Sequence, residues 1–317
     1  MRAFVAAVLT DRPIGPAPSF ELLQTGMLAP IAYRRGHAAT RNDYAATLIV
    51  ADRRRRTLRE VVSRFAAHGI ELALIKGCAF VGTIYPDPAE RPMNDMDVLV
   101  RKAQLPEAIR CMLALGFRRV GFDRKLSNYY HAVVFLRDDM MVELHRNIVQ
   151  PYRTRIRIED VWARSTLDPE IGARRLERVD ELLICATHVA RHELAVPAIN
   201  YVDVSRLWHR LTEAERRTVH TRATEWRISR AIKAVLAMTD NLAHGRRGSP
   251  DVGLGSALLP TTDDVLRGVH PARLRQIGQK LLLAQGLREL AGLGFTTVAA
   301  IVDGWRLART FDEDTRS

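Results

Sequence analysis

Residues 76–100, KGCAFVGTIYPDPAERPMNDMDVLV, decide how the rest of the chain is read. Asp95 and Asp97 stand one residue apart at the mouth of the apolar run Met96 to Val100. In an extended strand, alternate side chains share a face, so both carboxylates point to one side. Two anions so close repel each other and are costly to bury. A positive group is therefore expected between them.

The flanks supply a sheet for the pair to sit on. Upstream, IELALIKG (70–77) is short, apolar and stopped by glycine, and reads as a buried strand. Residues 78–85 have room for one or two helical turns, and YPDPAERP (85–92) is a proline-punctuated loop. Downstream, QLPEAIRCMLALG reads as an amphipathic helix stopped at Gly116. FRRVGF, YYHAVVFLRDD and MMVELHRNI then read as strands, with Asp138-Asp139 as a hairpin turn. Glu143 lies on the last of these, flanked by Val142 and Leu144. If the three strands are neighbours, Asp95, Asp97 and Glu143 converge at one end of the sheet.

That chemistry has a known use. Hard divalent cations such as Mg²⁺ take oxygen ligands and keep substrate phosphates in their shell. Two ions can clamp the attacking and leaving oxygens of a phosphoryl displacement. A third carboxylate either completes the second ion's shell or takes the nucleophile's proton. Gly77 permits close backbone approach to a phosphate, with N–H groups after it opening a helix. Lys76 and Arg91 are placed to neutralise phosphate charge. Arg91 has an alternative as an ion pair with Glu90 or Asp87, and Glu143 as a buried salt bridge. An Asp-x-Asp pair also occurs in metal-dependent glycosyltransferases and in calcium loops. A glycosyltransferase would need a larger nucleotide-sugar domain before the doublet than the mostly helical residues preceding the first strand.

Lys76-Gly77, Tyr85-Pro86-Asp87-Pro88, the run Arg91 to Val100 and Val142-Glu143-Leu144-His145 together resemble the uncharacterised nucleotidyltransferase family of the DNA polymerase β superfold. The resemblance covers about residues 60–210 and extends to His188, His192 and Asp203, which look like the family's helical His, His, Asp region. It implies an α+β fold: a polymerase β-like core with a mixed sheet, a helical N-terminal lead-in and a helical C-terminal domain. By the resemblance Asp95 and Asp97 hold Mg²⁺ (or Mn²⁺), Glu143 is the third acid, Gly77 and Cys78 cradle the nucleoside triphosphate, and Lys76 and Arg91 contact its phosphates. The implied activity is transfer of a nucleotidyl group from an NTP, ATP among them, to an acceptor, with release of pyrophosphate. The rival is a catalytically inactive nucleotide- or RNA-binding regulatory module on the same fold. Two departures stand out: Cys78 replaces the serine of the general turn, a weaker donor, and Arg146 stands where the family often has tryptophan.

The remaining signals set the frame. The chain has 317 residues, 47% of them hydrophobic, enough for a sizeable core. We divide it into a helical lead-in (1–67), an α/β core (68–155) and an α-helical domain (156–317). Residues 18–67 read as helical. After about residue 155 the pattern is helical, 214–243 and TTVAAIVDGWRLARTF (296–311) being among the clearest pieces, and HGRRGSPDVGLGS (244–256) is the best loop within it. The formal charge of +12 favours anionic partners, an RNA, an acidic peptide or a phosphorylated metabolite as acceptor. The arginines are spread along the chain, and the run Arg53 to Arg56 is expected as a solvated turn rather than a nucleic-acid patch. Cys78, Cys111 and Cys185 form no paired motif, which speaks for reduced thiols in a cytoplasmic protein. The first residues lack the features of a signal peptide. No segment approaches the ~20 apolar residues that span a bilayer. His145 is expected to face away from Glu143 and make a structural hydrogen bond. His188 and His192, four apart, share a helical face; helix packing or site lining is preferred over a zinc site, with Asp203 as a hydrogen-bond partner for one of them. Trp208 and Trp226 are expected in the core.

Overall fold

The computed structural model describes residues 1–284 other than 14, 17, 121–130, 150–153, 254 and 271. The expected helix over TTVAAIVDGWRLARTF lies outside the described residues, as do parts of the expected strands FRRVGF and YYHAVVFLRDD.

Seven strands form one mixed sheet: β1 (Leu72–Leu74), β2 (Met96–Val100), β3 (Arg118–Val120), β4 (Ala132–Arg137), β5 (Met140–His145), β6 (Thr166–Asp168) and β7 (Ala173–Arg175), in the order β3-β4-β5-β2-β1-β7-β6. The fold is α+β, as the family resemblance implied. Every residue of β1 and β2 is buried, as expected of central strands covered on both faces. β4 and β5 close as a hairpin with Arg137 opposite Met140, and Asp138 takes the positive φ (54°) that a two-residue turn requires. β2 runs antiparallel to β1 and parallel to β5, in the register Asp97 opposite Glu143 and Leu99 opposite His145.

One face of the sheet packs on the 27-residue helix Arg41–Ala67, and the other on helices of the C-terminal half, chiefly Arg178–Arg191 and Ala198–His209. A single hydrophobic cluster joins both sides, from Phe4 through Phe65, Leu99 and Val142 to Val235 and Leu283. The N-terminal helix Arg2–Leu9 lies against helices Ala198–His209 and Ser229–Ala243, so the lead-in is built into the C-terminal helices. Ser205 Oγ donates to the Leu9 carbonyl at 3.0 Å, and Arg2 pairs with Asp263 at 2.7 Å.

Three local expectations need correction. β6 and β7 extend the sheet beyond the expected core boundary, β7 pairing parallel with β1. Residues 214–243, which read as one helix, form two, Glu213–Glu225 and Ser229–Ala243, because Arg227 takes a positive φ (57°) between the buried Trp226 and Ile228. Arg53 to Arg56 lie inside the long helix rather than in a turn. There Arg53 pairs with Asp139 at 2.8 Å, and Arg55 and Arg56 both pair with Asp52.

Candidate active site

The site forms where β1 and β2 end against the helical half. Leaving β1, the chain reaches Lys76, whose φ of 51° is strained for a side-chain-bearing residue, and then makes one helical turn, Gly77–Phe80. The turn faces Asp97 on β2 and Glu143 on β5, side by side in register, with Asp95 just before β2. A cavity of about 530 Å³ opens over them. Its opposite wall carries His188, Arg191 and His192, and His131 closes one side.

Positive charge does lie among the carboxylates, and the chain supplies it. Lys76 Nζ donates to Asp97 Oδ1 at 2.7 Å. His145 Nε2 lies 2.7 Å from the same oxygen and 3.2 Å from Glu143 Oε2. His145 therefore does not face away from Glu143: two residues on in a strand is the same face. Burial works against ionised Asp97, but the hydrogen bond from His145 and the Lys76 ammonium hold its carboxyl well below the usual range. The hydrogen bond from His145 likewise lowers Glu143. Burial and Lys76 push His145 down, yet its bonds to Asp97 and Glu143 leave its pKa raised.

Asp95 is the least satisfied of the three acids. Burial, then Asp97 and Glu143, push its carboxyl up to about 6, with Lys76 and His145 only partly offsetting them. The imidazoles of the opposite wall behave differently. Burial and then Arg191 lower His131 to about 2, and burial and then Lys76 hold His188 well below its usual value. His188 and His192 pack ring to ring at 4.7 Å and line the cavity; Asp203 bonds to neither. The wall facing the acids thus presents neutral rings beside the Arg191 guanidinium.

Ligand atoms of Asp97, Glu143 and His145 lie within 4.8 Å of one another, a donor set that fits a single divalent cation when His145 gives up its proton. Asp95 lines the same cavity outside that threesome. The buried Nδ1 atoms of His145 and His131 have no hydrogen-bond partner among the described residues, so this polar cluster is incompletely satisfied.

The other expected residues divide. Gly77 lines the cavity and leaves room for Met93, whose Sδ would lie 2.6 Å from a Cβ there and would have to shift to admit a side chain. Arg91 also lines the cavity, but it is committed elsewhere. Its Nε and Nη2 grip Asp203 at 2.9 and 2.7 Å, and Nη1 bonds the Pro92 carbonyl. Tyr85 Oη donates to Asp203 at 2.6 Å. Arg91 is therefore bound neither to Glu90 nor to Asp87, and the pair ties the loop before β2 to helix Ala198–His209. Cys78 does not line this cavity. Its thiol faces the other side of the turn, where burial and then Asp97 raise it to about 12, so it is an inert thiol.

The profile of the uncharacterised nucleotidyltransferase family matches residues 37–244. The chain belongs to this family. It is a transferase of phosphorus-containing groups, and nucleotidyl transfer is its general reaction. No curated protein matches the chain. The matched span takes in the long helix, the sheet and helices Arg178–Arg191 to Ser229–Ala243, so the cavity's lining lies within it apart from Met27 and His270. No helix among the described residues is long and apolar enough to cross a membrane.

Proposed function

We propose that this nucleotidyltransferase moves a nucleotidyl group from an NTP to an acceptor, with Mg²⁺ or Mn²⁺ held by Asp97, Glu143 and Asp95 beside His145. The observation that carries this reading is the pairing of Asp97 with Glu143 on adjacent strands, with Asp95 alongside, under a cavity sized for a small-molecule substrate. The raised carboxyl of Asp95 reflects burial first and then the charges of Asp97 and Glu143, which Lys76 and His145 do not fully balance. A divalent cation bound there would neutralise the triphosphate and stabilise the charge of the transferring phosphoryl group.

The chain's own residues do the rest. An acceptor oxygen forms a bond to the α-phosphorus as the bond from the α-phosphorus to the bridging oxygen breaks, and pyrophosphate leaves with that electron pair. Glu143, whose side chain keeps a quarter of its surface exposed, is placed to take the acceptor's proton. Lys76 offers its ammonium to the phosphates from the wall of the cavity. The Arg91–Asp203 pair positions the loop that carries Met93 and Asp95. The neutral imidazoles of His131, His188 and His192 suit a base or an uncharged acceptor surface. Three free, buried cysteines suit a reducing, cytoplasmic setting.

One observation favours the second reading, an inactive nucleotide-binding module: Asp97 already carries two internal cations. A single assay separates the two. With Mg²⁺ or Mn²⁺ the wild type releases pyrophosphate from an NTP and Asp97→Ala does not; equal signals from both would remove the enzymatic reading. NTPs labelled at the α-phosphate, incubated in host lysate, then show whether label lands on RNA, protein or a small molecule.

A further inference from the structure

A second cavity, of about 540 Å³, opens on the opposite face of the sheet from the carboxylates. Its floor is apolar, with Leu74 and Met96 from the sheet and Leu58 from the long helix. Its rim is arginine. Arg54 and Leu58, like Arg55 and Arg59, are four residues apart, so the helix presents guanidinium groups and apolar side chains together along this cavity.

The arginines differ in what they already hold. Arg55 is neutralised by Asp52 at 2.7 Å, and Arg175 by Asp168 at 2.6 Å. Arg54 and Arg59 take no ion pair or hydrogen bond among the described residues. Glu170, the remaining acid along the cavity, is exposed. Arg54 is half-buried, and burial lowers its pKa against the pull of Asp95 and Asp139. A partly desolvated guanidinium with no counter-ion is unfavourable until an anion meets it, and its planar fork matches a carboxylate or phosphate.

We propose that this cavity is a second ligand site, for an amphipathic anion whose apolar chain or ring lies on Leu58, Leu74 and Met96 and whose carboxylate or phosphate head meets Arg54 and Arg59. The volume suits a small molecule. Met93 lines both cavities and is their shared partition, so the two sites are adjacent but separately lined. The proposal does not depend on nucleotidyl transfer, and the test keeps the two apart.

Calorimetric titration of the full chain with octyl phosphate and with octanoate, below micelle formation, tests it. Saturable one-to-one binding is expected, with octanol and inorganic phosphate each weaker by about tenfold or more because each lacks half of the match. The tighter of octyl phosphate and octanoate identifies the natural head group. Arg54→Ala should weaken binding by about tenfold, and Leu58→Trp should abolish it by filling the cavity. Asp97→Ala should leave it intact, and ATP should not displace it. Unchanged affinity in Arg54→Ala with an unaltered melting temperature would overturn the proposal. So would displacement by ATP, or uptake that never saturates.

Discussion

Two buried charge clusters flank the loop 85–95, and they are built on opposite terms. In one, Asp203 takes a forked pair of bonds from Arg91 and a third from Tyr85, so its acceptors are well used. In the other, three carboxylates share one lysine and one histidine, Asp95 is pushed up to about 6, and His145 Nδ1 has no partner among the described residues. A satisfied ion pair far from the surface holds elements together. An under-satisfied one keeps free energy in reserve for a ligand that completes it. The contrast separates a brace, in which one arginine and one tyrosine satisfy one aspartate, from a cluster whose acids outnumber the lysine and histidine among them.

Substitution should separate the two clusters by what each one changes. The largest effect is expected for Asp97→Asn: pyrophosphate release falling on the order of 10³-fold, with thermal stability also lowered because Lys76 and His145 lose the anion that balances them. Pyrophosphate release that stays within about tenfold of wild type while the melting temperature falls would instead make Asp97 a brace like Asp203. Next comes Asp203→Ala, which leaves Arg91 buried and unpaired and should cost about 3–5 kcal/mol by denaturant unfolding. A loss of activity at unchanged stability would move Asp203 into the carboxylate cluster.

Asp95 sharpens the comparison through pH. Its folded pKa of about 6 lies above the ordinary 3.8, so the folded state binds the proton more tightly than the unfolded chain. Its contribution is therefore fully present below about 3.8 and is lost as pH rises through about 6. Asp95→Asn should raise the melting temperature at pH 7–8 relative to wild type and leave it little changed near pH 3.5. Added Mn²⁺ should reverse the ranking at neutral pH, because the ion stabilises the wild-type acids. A melting-temperature difference that does not vary with pH would show that Asp95 is already neutralised.

The smallest effects lie at the packing between the clusters. Tyr85→Phe removes one hydrogen bond from Asp203 and should cost about 1 kcal/mol. Gly77→Ala brings a Cβ against the flexible end of Met93 and should cost about as much. The double change with Met93→Ala should recover most of that loss in a thermal melt. Failure to recover it would mean that the turn's backbone, rather than Met93, demands glycine.

Much of the carboxylate cluster was legible because strands impose a period of two. The acids around Met96, the flanked Glu143 and the Asp138-Asp139 hairpin all follow from alternation and turn chemistry. The same period places His145 on the face of Glu143, so the signal for its position was present and was misread. β6 and β7 were harder to see. Each is three residues long, and TLD and ARR show no apolar alternation; pairing with the existing sheet edge, not local propensity, makes them strands. The break at Arg227 is similar, since two buried anchors force a turn that the helical pattern around it does not announce.

By itself, the chain's order of residues determined the α+β character, the three central strands, the convergence of Asp95, Asp97 and Glu143, and the family, since each rests on local periodicity or on motifs close together in sequence. Tertiary structure alone decided that Arg91 belongs to Asp203, 112 residues away, that Cys78 faces the second cavity, and that Lys76 and His145 supply the positive charge among the acids. The reason is electrostatic: a charge's partner is whichever opposite charge packing brings near it once water is excluded, and sequence distance carries no information about that choice.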